Sequence, residues 1–171
     1  QKMHIALQDA RIATNGLALT LNGWAQLGDT LHTDIRLTLN DWAIDSVLAL
    51  LPITLDKDIT ELVKGGSTTL DATAKINMAD SAASEVLVHQ LAAHVKHTDL
   101  KAQGIVKDPL GKLWADVTAD VNVLIADVKA FLPKDMQVSG RVKGTANVQM
   151  HLDDLMAMQL DKGKITGDVQ L

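Results

Sequence analysis

The stretch MQVSGRVKGTANVQM, residues 136–150, alternates without a miss. Met136, Val138, Gly140, Val142, Gly144, Ala146, Val148 and Met150 take one parity, and Gln137, Ser139, Arg141, Lys143, Thr145, Asn147 and Gln149 take the other. Successive side chains of a strand point to opposite faces, so the pattern predicts β-structure with one apolar face and one wet face. A sheet of such strands has to bury its apolar face on another element, another chain or an apolar ligand.

The same alternation recurs upstream. Ile5 and Leu7, then Leu17, Leu19 and Leu21, then Ile35, Leu37 and Leu39 predict three strands, with reversals at Asn15-Gly16 and Gly28-Asp29. At Asn40-Asp41 the period changes, because Ile44, Val47, Leu48 and Leu51 follow at i, i+3, i+4 and i+7. That spacing predicts a short amphipathic helix capped by Asn40 or Asp41 and ended by Pro52. A second short helix is expected around residues 58–63, before Gly65-Gly66. Alternation returns with Leu70, Ala72, Ala74, Ile76 and Met78. Residues 81–98 suit either period and are read as a strand by comparison with the C-terminal tail.

Compared with itself, the chain repeats. Gly23 and Gly104, Asp41 and Asn122, Ile44 and Ile125, Val47 and Val128, Leu51 and Leu132, and Pro52 and Pro133 are all separated by one and the same interval. The second copy therefore predicts the same helix ending in Leu-Pro. Repeat one is expected over about residues 5–85 and repeat two over about 86–171, within a single repeat-built β domain.

Composition narrows the function classes. A net charge of −5 with scattered Lys and Arg leaves no basic stripe for phosphates, which excludes nucleic acid as a partner. The aromatics are three Trp and one Phe with no Tyr, a poor set for protein or glycan recognition. Absence of Cys removes disulfide and thiolate chemistry, and suits a reducing compartment or an envelope protein equally. The longest apolar run, residues 47–51, is far short of the roughly 18–20 needed to span a bilayer. A chain opening on Gln1 is expected to be a piece of a longer protein.

The stretch from Val138 to Met150, followed by Leu-Asp-Asp-Leu at 152–155 and Gly-Lys-Ile-Thr-Gly-Asp-Val-Gln-Leu at 163–171, resembles the repeated strands of AsmA-like proteins of bacterial envelopes, relatives of TamB. The paired Leu-Pro helices are similar too. The resemblance implies a mainly β fold with short helices (α+β): an elongated, curved antiparallel sheet of repeated strands, a short amphipathic helix per repeat and an apolar concave face. It also implies a non-enzymatic segment of a bridge-like lipid transfer protein, forming a hydrophobic groove for phospholipid acyl chains. Lipid transport or outer membrane biogenesis and homeostasis would be its task. The place would be the periplasmic side of the cell envelope, with membrane contact through an anchor outside this chain. The alternative is a structural or interaction β-repeat module with a closed core and no ligand.

Under the groove reading, Leu17, Leu19, Leu21, Ile35, Leu37, Leu39, Leu70, Ile76, Met78, Val117, Val121, Val142, Val148 and Met150 line the lipid-bearing surface. The same residues would form a dry core under the alternative, and each buried aliphatic side chain is worth roughly 1.5–3 kcal/mol in either case. No catalytic residue, metal site or cofactor is expected. His89, His94 and His97 do not converge on either a strand or a helix and are read as solvated. Asp56/Asp58 and Asp153/Asp154 are read as turn formers and caps. Gly65-Gly66 before Ser67 lacks the spacing and the following helix of a phosphate loop. Trp42 and Trp114 are expected to plug helix against sheet.

Overall fold

Short reversals between alternating segments leave each strand its chain neighbour as the natural partner, and the sheet is built that way throughout. The computed structural model describes residues 2–14, 17–49, 56–151, 153–154 and 162–170. Nine strands run in chain order: β1 (Met3–Thr14), β2 (Leu17–Leu27), β3 (Leu31–Ala43), β4 (Ser67–Asn77), β5 (Glu85–Val95), β6 (Thr98–Lys107), β7 (Trp114–Leu124), β8 (Arg141–His151) and β9 (Lys164–Gln170). Each pairs antiparallel with the next, giving one open, curled sheet in the order β1 to β9. Among the described residues the helical pieces are short: α1 (Ile44–Leu48) and α2 (Lys57–Val63) between β3 and β4, 3₁₀ segments at Ser81–Ala83 and Ile125–Phe131, and helical backbone at 153–154.

The described strands form a single layer. The chain's accessible surface is 11500 Å² for 18.4 kDa, whereas a compact folded chain of that mass exposes about 8200 Å². Among the described residues only Leu39, Trp42, Ala72 and Met150 are buried hydrophobics. Met150 is covered by the chain returning across it, since a β-carbon on Gly163 would stand 2.7 Å from its Cβ.

Structural features recur at the spacing seen in the sequence. β1 shifts register against β2 between Leu7 and Ala10, and β5 shifts against β6 between Val88 and Leu91. In both places the neighbouring strand answers with a glycine, Gly23 opposite Leu7 and Gly104 opposite Val88. After β3 and β7 the first helical N–H donates to a glycine carbonyl ahead of the next strand: Ile44 to Gly66 at 2.9 Å, and Ile125 to Gly140 at 3.0 Å.

Several expectations are corrected. Residues 136–140 alternate but form no strand, because β7 has run into a 3₁₀ segment and the β7–β8 ladder ends at Leu124 opposite Arg141. Asn40 and Asp41 cap no helix. β3 continues through them to Ala43, with Asp41 at φ 53° absorbing a register shift between Leu39 and Trp42. Helix α1 therefore begins at Ile44 without a side-chain cap; Leu51 and Pro52 lie outside the described residues. Its counterpart at Ile125–Phe131 is 3₁₀, so the two connections differ in helix type. Helix α2 is where it was expected, with the Asp56 carboxylate accepting from the Asp58 N–H at 2.8 Å. The ambiguous segment 81–98 holds a 3₁₀ turn followed by β5.

Candidate functional site

Residues directly opposite each other on an antiparallel ladder stand on the same side of the sheet. Register therefore decides which side chains meet. One row runs Leu19, Leu39, Leu70, Leu91, Ala102, Ala119, Ala146 across seven strands. Beside it runs Leu21, Leu37, Ala72, Val88, Gly104, Val117, Val148, and beyond that Ile35, Ala74, Val86, Val106, Ala115, Met150. Leu17, Ile76, Val121 and Val142 extend the same parity along β2, β4, β7 and β8. All the candidates except Met78 thus come to one side of the sheet. Met78 lies just past β4, 58 % exposed, its N–H donating to the Leu31 carbonyl at 3.0 Å.

Leu39 and Met150 are buried and the other strand candidates half-buried, although the described residues supply no second layer of the sheet. Along β6 and β8 the charged parity is exposed while its aliphatic neighbours are half-buried: Asp99, Lys101 and Gln103 against Leu100, Ala102 and Gly104, and Lys143 and Thr145 against Val142, Gly144 and Ala146. The aliphatic side chains shield one another.

Val86, Val88, Leu91, Leu100 and Val106 belong to the same side and are not among the residues singled out from the sequence. For Val86 and Val88 the signal was available, since they follow Ile5 and Leu7 at the interval of the repeat. Trp42, expected from the sequence to plug helix against sheet, also belongs to this side. The register shift at Asp41 pairs it with Thr68, which puts it on the side of Leu39. There it is 6 % exposed, and its indole N–H donates to the Ala18 carbonyl at 2.8 Å, just beyond the last β2–β3 pair, Leu19 opposite Leu39. Trp114 plays no such part. It pairs with Lys107, whose ammonium lies 5.6 Å from the ring centroid, on the opposite side of the sheet.

That opposite side is knitted by polar cross-strand contacts. Arg36 forks onto Asp71, Nε to Oδ1 at 2.8 Å and Nη2 to Oδ2 at 2.6 Å, which holds the carboxyl below the usual range. Asn147 and Gln149 both donate to Asp116, and the Thr145 hydroxyl donates to Asp120. Shallow depressions lie on this side, one of about 350 Å³ bordered by Asp120, Lys143, Thr145 and Asp168 and another of about 410 Å³ bordered by Asp99, Lys101, Asp120 and Asn122. They are open troughs bordered chiefly by charged and polar residues, with Val121 at the edge of both.

The histidines are held separately: His89 with Thr73, His94 with Asp99 and His97 with Asp127. Among the described residues no group of His, Cys, Asp or Glu converges as a metal site would require. Burial pushes the Asp127 carboxyl up, yet the His97 backbone N–H, the Thr98 hydroxyl and the His97 ring outweigh it and hold the group below its ordinary value. Asp127 ties the Ile125–Phe131 segment to the β5–β6 turn. Of the acidic pairs, Asp56 caps α2 and Asp154 stands 3.5 Å from Lys162.

No family model matches the sequence, and comparison with curated proteins and with solved structures finds no match. Function therefore has to be read from the arrangement itself. The register brings aliphatic residues of successive strands to one side, and to the other the cross-strand polar pairs together with Leu87 opposite Ile105. No described helix is long and apolar enough to cross a membrane.

Proposed function

We propose that this chain is a non-enzymatic, repeat-built segment whose curled sheet turns its aliphatic side inward as a groove for the acyl chains of phospholipid or a similar lipid. The reading follows the resemblance to AsmA-like envelope proteins, and it puts the segment on the periplasmic side of a bacterial envelope, with membrane contact made elsewhere in the protein. The observation that carries it is the coincidence of two facts. The register gathers the aliphatic parity of successive strands onto one side, and the chain exposes about 3300 Å² more than a compact fold of its mass.

The energetics suit a lipid chain. Covering about 400 Å² of apolar surface is worth roughly 10 kcal/mol gross, comparable with the estimated 4–15 kcal/mol cost of immobilising a partner. Aliphatic side chains impose no directional demand, so the groove selects for chain and leaves the headgroup outside. The closed-core module is the weaker reading, because the described residues supply no second layer.

Leu37→Asp and Val148→Asp test the proposal. In an open groove each new carboxylate keeps contact with water, so the variants stay folded, losing no more than about 1–2 kcal/mol, and retain less lipid on purification. In a closed core the same changes cost several kcal/mol and unfold the chain. Unfolding of both variants, or unchanged lipid content in folded ones, contradicts the groove.

A further inference from the structure

Among the described residues no strand pairs with the outer edge of β1, yet β1 is built like an interior strand. Its counterpart in the second repeat is β5, which has β6 on one flank and β4 on the other. The likeness is local and detailed: both strands shift register at the same place against the next strand, and both shifts face a glycine. On β5 the flank equivalent to β1's free edge is filled by β4, with Leu70 opposite Leu91, Ala72 opposite Val88 and Ala74 opposite Val86. Transferred by the repeat, those partners would stand opposite Ala10, Leu7 and Ile5. We propose that β1 is an acceptor edge for an amphipathic strand of the β4 and β8 type, one that carries small and aliphatic residues toward the aliphatic side and hydroxyl or charged residues toward the other.

Exposure supports the transfer. Ile5 and Ile12 are 39 % and 52 % exposed, while Val86 and Ala93, their counterparts on the flanked strand, are half-buried. β1 is 12 residues long with neither Lys nor Pro, against 7 residues and Lys164 for β9, the other edge. It carries Asp9, Arg11 and the bulge between Leu7 and Ala10, but β5 carries the equivalent bulge and is flanked on both sides all the same. A strand added at β1 would satisfy its outward N–H and C=O groups and continue the aliphatic rows by one position. The inference rests on the repeat and the ladder, independently of what the aliphatic side binds.

The test uses the whole chain and a synthetic peptide of residues 67–77, STTLDATAKIN, with a scrambled peptide of the same composition as control. Alternate β1 amides should exchange about tenfold more slowly at roughly 90 % occupancy, with β9 unchanged and the scrambled peptide inert. Ala6→Pro and Leu7→Pro sharpen the reading. Adjacent amides point to opposite flanks, so one variant disrupts the β1–β2 ladder while the other stays folded and loses peptide protection. No protection at millimolar peptide, equal protection by the scramble, protection at β9 instead, or full protection in the folded proline variant would overturn the proposal.

Discussion

Gly23 and Gly104, equivalent positions of the two repeats, meet the same obstacle: a β-carbon on the first would lie 2.0 Å from the Asp34 carbonyl oxygen, and on the second 2.2 Å from that of Asp116. The obstacle is backbone, so it cannot swing aside as a side chain would. Gly104→Ala should therefore destabilise by about 2–4 kcal/mol, as should Gly23→Ala, where φ of 136° adds strain. Gly140→Ala is the control. Nothing stands within 4 Å of its β-carbon position, so only the cost of φ 105° applies, about 1 kcal/mol. Urea unfolding of the three variants checks the order.

Trp42 sits just past the register shift of β3 against β4 and reaches back to the β2 backbone at Ala18. Trp42→Phe keeps most of the apolar contact but leaves the Ala18 carbonyl without its donor, with an expected loss of about 1–3 kcal/mol. The native emission should contain a blue-shifted component absent from the variant, since Trp24, 37 % exposed, emits from a wetter site. Equal stability and an unchanged spectrum would remove Trp42 from the packing account.

Acid should loosen the sheet at two identifiable points. Asp71, held low by Arg36, and Asp127, held low by its His97 and Thr98 donors against burial, both have folded pKa values below their unfolded ones. Their contribution is complete above the unfolded value and is lost as pH falls from about 4 through the folded values. The urea midpoint of the parent should drop over that window. Asp127→Asn should start lower at neutral pH and show a shallower drop, while carboxyl resonances followed by NMR should place both groups below the exposed aspartates. An acid slope unchanged in Asp127→Asn would show that its donors do not couple to folding.

Strand alternation was legible because period two is a local property of the chain, and exposure along β8 alternates over residues 141–146 as the sequence does. Where one strand stops and the next finds a partner is not local. Residues 136–140 keep the alternation but have no neighbour, because β7 has already ended at Leu124. Asn40-Asp41 reads as a stop, yet Asp41 adopts the positive φ that short polar residues tolerate, and the strand passes through with Trp42 moved to the aliphatic side. Parity alone places the strand candidates on one side, but not the β5 and β6 residues or Trp42, and it carries Met78 past the end of its strand. Whether one side is covered was not legible, since a dry core and an open groove require the same alternation.

Photocrosslinking tests the groove most directly. A photoreactive residue placed at 37, 76 or 148 in protein purified from bacterial membranes should capture acyl chains, and native mass spectrometry of the parent should show lipid that solvent extraction removes. The same probe at Lys101 or Thr145, on the polar side, should capture none. Absence of co-purifying lipid, together with crosslinking at positions 37, 76 and 148 no greater than at 101 and 145, would contradict the lipid-bearing sheet.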